Sequence, residues 1–356
     1  MTFHAAGCAN TTTMAAKHIM VLHLSPSLGE VAMCLPLLRC LSSAYPEARL
    51  TLVTTARFVP LFEELPQVAF VTPELYGKHK GLSGLYQLVK TLKKLRPTHI
   101  ADLHQSFRTQ MLLTFFLPYI RIIKAGVHKG RAAKKRLTRP KAKTLVPLIP
   151  QIYRYAQVFE RLGFPVSLEA HAFPPRPICP NIEALRLDQS RKWIGVAPFA
   201  AHNAKQYPLD LMQKVVAYLQ QEHQVILFGF GRQERTQLDI WAKAYKHVAN
   251  ATSVYALGAE LRLMAQLDLM IAMDSANGHL AANYAVPVLS LWGATHPCLG
   301  FAPFGQPEKN NLTPDRTQYP FLPTSVDGHK TPKEYRDAMR SIAPKTVIEK
   351  VLKLLN

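Results

Sequence analysis

The sequence predicts an α/β protein made of two Rossmann-like domains facing a cleft, and three observations carry that reading. Short, wholly apolar runs alternate with segments of helical periodicity along nearly the whole chain, the pattern of parallel strands covered by helices on both faces. The alternation occurs twice, on either side of residues 173–180, FPPRPICP, whose four prolines in eight residues read as a semi-rigid linker. The stretch 267–295, LDLMIAMDSANGHLAANYAVPVLSLWGAT, sets strand, acidic turn, short helix, strand and Gly-Ala-Thr turn in immediate succession. At 356 residues with 48% hydrophobic content, the chain is long and apolar enough for two cores.

In the first half, residues 18–24 read as a strand, 25–29 as a turn, and the segment from Glu30 as a helix with Val31, Leu35 and Leu38 on one face, kinked or irregular where Pro36 falls. Strands follow at 49–54 and 68–71. An amphipathic helix at 82–95 ends in lysines and an arginine that suit its C-terminal dipole. A strand at 98–103, a helical stretch and a strand at 120–125 come next, then an excursion at 126–144 and a helix from about 151 to 162. In the second half the strands fall at 193–197, 224–229, 247–249, 269–273 and 286–292, with helices at 208–221, 233–245, 260–267 and 279–285. A last helix spans 344–355, with Val347, Val351 and Leu354 on one face. The domain boundaries that follow are a loose extension at 1–16, an N-terminal domain at 17–172, a linker at 173–183, a C-terminal domain at 184–330 and C-terminal helices at 331–356. The stretch 306–343 has no assigned role.

No apolar run approaches the roughly 20 residues of a membrane-spanning helix. The first residues lack the basic and apolar regions of a signal peptide, so Ala5-Ala6-Gly7-Cys8 is not read as a lipoprotein box. Five cysteines, odd in number and unpaired in spacing, suggest a reduced, cytosolic protein. The net charge of +20 is uneven. No acidic residue lies between Asp102 and Glu160, whereas that gap holds Arg108, Arg121, Lys124, Lys129, Arg131, Lys134, Lys135, Arg136, Arg139, Lys141, Lys143 and Arg154. Such a field attracts polyanions, whether nucleic acid, anionic membrane or phosphorylated substrate; a solvated loop without a partner is the plainer alternative. Aromatic residues are not interleaved with the charges, which argues against nucleic acid.

Five constellations carry candidate chemistry. Ser25-Pro26-Ser27-Leu28-Gly29-Glu30 is a small-residue turn with a carboxylate at a helix start; Glu30 is placed there for general base work, or simply to complement the helix dipole. In Pro198 to Pro208, Lys205 can meet a phosphate as a mobile point charge, or is an exposed lysine before a helix. The turn Phe228-Gly229-Phe230-Gly231 precedes Glu234, positioned for ribose hydroxyls or for its own helix start. Asp274-Ser275-Ala276-Asn277-Gly278-His279 follows a buried strand at the end where α/β folds bind ligands, and its backbone N–H groups suit an anion. Gly293-Ala294-Thr295 supplies further short donors. No i, i+4 pair of His, Asp or Glu near these turns has metal-ligand spacing, and the glycine fingerprint of nicotinamide enzymes is absent.

The motif D-S-x-x-x-H-L-A-A at Asp274 to Ala282, followed by P-V-x-x-L-x-G-A-T-x-P at Pro287 to Pro297, resembles the C-terminal signature of glycosyltransferase family 9, the ADP-heptose:lipopolysaccharide heptosyltransferases. Ser27-Leu28-Gly29-Glu30 with Leu35 to Arg39 and Tyr45-Pro46 is similar to the family's N-terminal S-x-G-D motif and its helix. Asp102-Leu103-His104, Arg154-Tyr155 with Leu162-Gly163, and Lys205-Gln206-Tyr207-Pro208 match further segments in the family's order, over roughly residues 17–305. The resemblance implies a GT-B fold with sugar nucleotide on the C-terminal domain and acceptor on the N-terminal one. It implies inverting glycosyl transfer without metal or other cofactor. It makes Glu30 the base, Lys205 and the backbone of Ser275, Ala276, Asn277 and Gly278 the diphosphate ligands, and Asp274 a ligand of sugar hydroxyls, with Ser27, Gly29, Glu234, His279 and Thr295 around them.

The implied donor is ADP-heptose and the implied acceptor a lipid A–Kdo glycolipid. The basic loop, through Lys129, Arg131, Lys134, Lys135, Arg136 and Arg139, would meet acceptor anions or the inner face of the cytoplasmic membrane, to which a monomeric protein would bind peripherally. Three positions depart from the family pattern. Glu30 stands where Asp is usual and must be re-aimed by a methylene; Ala200-Ala201 replace hydroxyl residues; and Ala276 replaces Gly at a position expected to need positive φ. A sibling glycosyltransferase with another nucleotide sugar, or a non-catalytic binder of nucleotide sugars or polyanions, are the alternative readings.

Overall fold

A computed structural model describes residues 17–356 apart from 120, 142, 143, 180, 181 and 253. The expected extension at 1–16, and Ile120, Lys143 and Pro180 of the expected strand, basic run and linker, therefore lie outside the described residues. The N-terminal domain runs β1 (His18–Leu22), α1 (Leu28–Ala32), α2 (Leu35–Ala44), β2 (Arg49–Val53), β3 (Val68–Val71), α3 (Gly81–Lys94), β4 (His99–Asp102), α4 (Phe107–Phe115), β5 (Ile123–Gly126), α5 (Arg131–Leu137) and α6 (Gln151–Arg161). Its five strands are all parallel, in the order β3-β2-β1-β4-β5. Every residue of β1 is buried because both faces are covered. Ile19 and Val21 enter the core under α1, α2 and α6, while Met20 and Leu22 enter a second core under α3 and α4.

The C-terminal domain follows as β6 (Trp193–Ala197), α7 (Leu209–Leu219), β7 (Gln224–Leu227), α8 (Gly231–Ala244), β8 (Val248–Asn250), α9 (Leu257–Met264), β9 (Leu269–Met273), α10 (Ala276–Ala282), β10 (Val288–Leu291), β11 (Asn311–Leu312) and α11 (Pro344–Leu355). Its sheet, again parallel, has the order β11-β10-β9-β6-β7-β8. All five residues of β9 are buried. The two sheets confirm the expected pair of Rossmann-like halves.

Local differences from the expectations have physical causes. The first helix is two helices: the chain turns at Met33 and Cys34, and Pro36 sits in the first turn of α2, where its missing N–H leaves no bond unmade. The basic excursion is not a bare loop but contains α5. Arg154, buried on α6, ties the excursion down by donating Nε to Ile149 O at 3.0 Å and Nη1 to His128 O at 3.2 Å, so this member of the basic run is a clamp rather than part of an exposed field. Residues 306–343 supply the edge strand β11 and three short 3₁₀ turns, and Met339 and Ile342 join α7 and α11 in the core.

Candidate functional site between the two sheets

The connections leaving the carboxyl ends of β1 and β9 meet in space. α1 packs on α10, and the two segments nearly touch at Gly29: a Cβ there would lie 3.3 Å from Ala276 Cα and 3.5 Å from His279 Cδ2. Hydrogen bonds hold the apposition. Asn283, just after α10, donates Nδ2 to Ala32 O at 3.1 Å and accepts Arg39 Nη1 at its carbonyl at 2.7 Å. Arg262 of α9 pairs with Glu63 at 2.9 Å.

On the C-terminal side the polar groups converge. Lys205 Nζ lies 3.0 Å from Asp274 Oδ2, and Thr295 Oγ1 donates to the same oxygen at 2.8 Å. Both members of the ion pair are largely buried. The loop carrying Lys205 is fixed by Ala294 N–H donating to Ala204 O at 2.8 Å; Gly293 permits it, since a Cβ would fall 2.2 Å from that same oxygen. A segment that the sequence left without a role closes the cluster. Thr324 and Ser325 N–H both donate to Ala294 O, and Gly328 lies under the Lys205 stem, where a Cβ would come 2.5 Å from Cγ and Cδ. Gly328 has φ +85°, so it is glycine for its backbone and for this contact. The Asp327-Gly328 dipeptide, a turn signal, was the only trace of it in the sequence.

The helix after β9 starts three residues earlier than its apolar pattern suggests. Ser275, extended at φ −146°, is the N-cap and Ala276 the first helical residue. Ala276 is therefore not at positive φ, and the expected strain does not exist there: the glycine that lets the backbones approach is Gly29, on the facing helix. Asn277 and Gly278 complete the first turn. His279 is buried one turn in rather than on an open turn, and burial pushes it down to about 4. Among the described residues, Ser275 Oγ and His279 Nδ1 are buried without a hydrogen-bond partner.

On the N-terminal side, Glu30 is exposed in the first turn of α1, which Ser27 caps. Ser25 Oγ donates to Glu30 Oε2 at 2.6 Å and accepts from Ser27 N–H at 3.1 Å. This support by Ser25 was not singled out from the sequence. Lys129 is half-buried, and burial lowers it while the Glu30 carboxylate opposes that shift. His104, next to the turn that Asp102 organises by accepting N–H bonds from His104 and Gln105, is also lowered by burial. His23 stacks on His104 at 6.0 Å and is buried, which pushes it down to about 3. The site thus pairs an exposed carboxylate, oriented by a serine and flanked by a half-buried ammonium, with a facing turn of small residues, backbone N–H groups and a second ammonium.

The chain has relatives among known proteins. The family model described as glycosyltransferase family 9 (heptosyltransferase) matches residues 85–322. The chain belongs to that family. It is 23% identical over 317 residues to the lipopolysaccharide core heptosyltransferase OpsX of Haemophilus influenzae, covering 84% of each. Its fold is similar to the glycosyl transferase family 9 crystal structure from Veillonella parvula, with TM-score 0.70, 19% identity and coverage of 95% and 97% of the two chains. It is similar too to the E. coli ADP-heptose lps heptosyltransferase II, with TM-score 0.65, 20% identity and coverage of 95% and 98%. The protein is a glycosyltransferase of GT-B architecture.

Not every expected residue of this glycosyltransferase joins the cluster. Glu234 turns back on its own helix and accepts Phe230 N–H at 2.7 Å, a helix-start bond; burial raises its carboxyl. The basic excursion divides by direction. Lys134 is buried, with Nζ 3.4 Å from Gln151 Oε1 and 4.0 Å from the Phe301 ring, and burial lowers it to about 8. It is therefore no surface cation, because the period of α5 turns it inward beside Leu137. Arg131, Lys135, Arg136 and Arg139 are exposed.

Proposed function

We propose that the protein transfers a heptose from ADP-heptose to a lipopolysaccharide inner-core acceptor, with inversion and without a metal. The observation that supports this best is the Gly29–Ala276 contact, which sets the helix carrying Glu30 against the helix that follows Asp274, whose carboxylate holds Lys205 and Thr295. In this reading the donor and acceptor meet between these two segments, with a base on one side and anion ligands on the other.

In this reading Glu30 takes the proton from an acceptor hydroxyl, and Ser25 holds the carboxylate in place. The freed oxygen bonds to the anomeric carbon from the face opposite the diphosphate. The bond from that carbon to the diphosphate oxygen breaks, and the nucleoside diphosphate leaves with the electron pair. Its charge is met by Lys205 and by the backbone N–H groups of Ser275 to Gly278. Asp274 and Thr295 hold sugar hydroxyls, with Lys205 released from Asp274 as the diphosphate arrives. Ser27, Gly29 and His279 shape the wall between the two sides, and Glu234 borders the nucleoside end. Lys129, half-buried and within reach of the Glu30 carboxylate, favours an acceptor bearing carboxylates or phosphates. Arg131, Lys135, Arg136 and Arg139 favour peripheral contact of a monomer with an anionic membrane at the cytoplasmic face. No helix among the described residues is long and apolar enough to cross a membrane.

The test is turnover with a panel of donors. ADP-heptose with a lipid A–Kdo acceptor should release ADP, and GDP- or UDP-sugars should neither turn over nor raise the melting temperature comparably. A second nucleotide sugar that turns over in place of ADP-heptose would replace the donor assignment. Donor binding with no release by any acceptor would favour a non-catalytic binder.

A further inference from the structure

The outer surface of α3 and α4, with the turns that flank them, is apolar and cationic at once. Tyr76, Leu82, Tyr86, Phe107, Leu117 and Tyr119 all stand out from it, with Tyr76 80%, Phe107 77% and Leu117 63% exposed. Contacts across the two helices join them into one surface. Tyr86 meets Phe115 edge-on at 5.6 Å, the Arg108 guanidinium lies 5.3 Å from the Tyr76 ring centre, and Lys93 Nζ lies 3.9 Å from that of Tyr119 and donates to its hydroxyl at 2.6 Å. Lys90 Nζ covers Tyr86 at 4.8 Å. Aromatic rings under cationic heads are the arrangement of side chains that insert at a headgroup boundary while their charges stay with phosphates.

The charge is one-sided to match. From Leu75 to Phe159 the chain carries eighteen Lys and Arg and a single carboxylate, Asp102. Asp102 is fully buried, so no acid on α3 or α4 offsets the field; the nearest in sequence is Glu74, ahead of α3. A second copy of this chain would bring a like-charged face against it. Leu82 and Leu117, aliphatic and exposed, offer nothing to a nucleic-acid base but suit acyl chains. The placement also fits. Tyr76 follows β3, and Phe107 and Arg108 follow β4, so the patch begins on the same rim of the sheet that carries Glu30.

We propose that the α3–α4 face is a membrane-docking surface, separate from the α5 region, whose occupant is an anionic lipid bilayer. Tyr76, Phe107 and Leu117 enter the headgroup layer and Lys90, Lys93 and Arg108 bind lipid phosphates, so that the mouth of the cleft lies at the lipid surface. The proposal rests on the reading that the acceptor is presented by a membrane, but its test needs neither donor nor acceptor. The full-length protein is sedimented with vesicles of phosphatidylglycerol and phosphatidylethanolamine, or of phosphatidylcholine alone. Wild type should partition onto the anionic vesicles and stay in solution with the neutral ones. Phe107→Ser with Leu117→Ser, and separately Lys90→Glu with Lys93→Glu, should each weaken partition by about tenfold or more, since one cation at the surface is worth roughly fivefold. Phe107→Trp should shift its emission to the blue on anionic vesicles. Both multiple variants lie at exposed positions and should keep the wild-type melting temperature and the wild-type rate on a detergent-solubilised acceptor. Wild type remaining in solution, equal partition onto neutral vesicles, undiminished binding of both variants, or an unshifted Phe107→Trp emission would each overturn the docking surface while leaving the transfer reaction untouched.

Discussion

Gly29 and Ala276 stand against each other across the two domains, close enough that a single added carbon on Gly29 would lie 3.3 Å from the Ala276 backbone. Gly29→Ala should be tolerated in stability, because alanine favours the helix by up to about 1 kcal/mol over glycine. Gly29→Val should force α1 off α10 and move Glu30 with it. Displacement on that scale costs ~10²-fold in rate, so turnover at saturating substrate should fall in the order wild type, Ala, Val. Equal rates in all three would show that the contact does not set the geometry of transfer.

Lys205 is held between Asp274 and Gly328. Lys205→Met should lower turnover by ~10²–10³-fold, the usual effect of losing one preorganised partner of developing charge. Gly328→Ala should mimic it in part without touching the ammonium, because its Cβ would displace the lysine stem and the position has φ +85°. Calorimetric titration with ADP should show weakened affinity in both; unchanged affinity in Gly328→Ala would separate the 324–329 segment from the site.

Much of this was legible in the sequence. β6, β9 and α11 fall where the apolar runs and periodicity put them, because a strand buried on both faces leaves a continuous apolar signature and a helix covered on one face leaves a stripe; β3 falls in place too, although it is a partly exposed edge strand. Glu30, Lys205, Asp274 and Thr295 were singled out by their place in turns after strands and in the family motifs, and the structure brings the last three into one cluster. The start of α10 was misplaced because Ala276, Asn277 and Gly278 look like a turn, and only the packing of α1 on it reveals the helix. The inward turn of Lys134 was invisible for the same reason: which face of α5 is covered depends on Phe301 and Gln151, distant in sequence. Gly328 and Ser25 act through single contacts that no periodicity records.

The buried histidines set a pH response. His23 and His279 are lowered by burial, to about 3 and about 4. In the unfolded chain they take up protons near pH 6.5, whereas in the folded protein they stay neutral, so the folded state binds fewer protons between those values. Stability is therefore complete above pH about 6.5 and falls as the pH drops toward 4, by about 2 kcal/mol per histidine at pH 5. The melting temperature should decline between pH 7 and 5, and His279→Gln should make that decline shallower. A profile flat over this range would mean the two rings are not held neutral.

Lys129, half-buried, and the exposed Arg131 and Lys135 divide the basic region by function. Lys129→Met should raise KM for an anionic acceptor while retaining affinity for anionic vesicles, because its ammonium is half-buried towards Glu30. Arg131→Ala with Lys135→Ala should do the reverse. Steady-state kinetics with a detergent-solubilised acceptor, read beside vesicle sedimentation, distinguishes them; parallel losses in both assays would contradict the division.

The most direct measurement is the rate of ADP release by Glu30→Gln, with ADP-heptose and a lipid A–Kdo acceptor at saturation. Glutamine keeps the shape and the Ser25 contact but cannot take a proton. With a general base worth 10²–10⁴-fold, release should fall by roughly that factor while ADP affinity stays at the wild-type value. Release at the wild-type rate would contradict Glu30 as the base and, with it, the two-sided site on which the account stands.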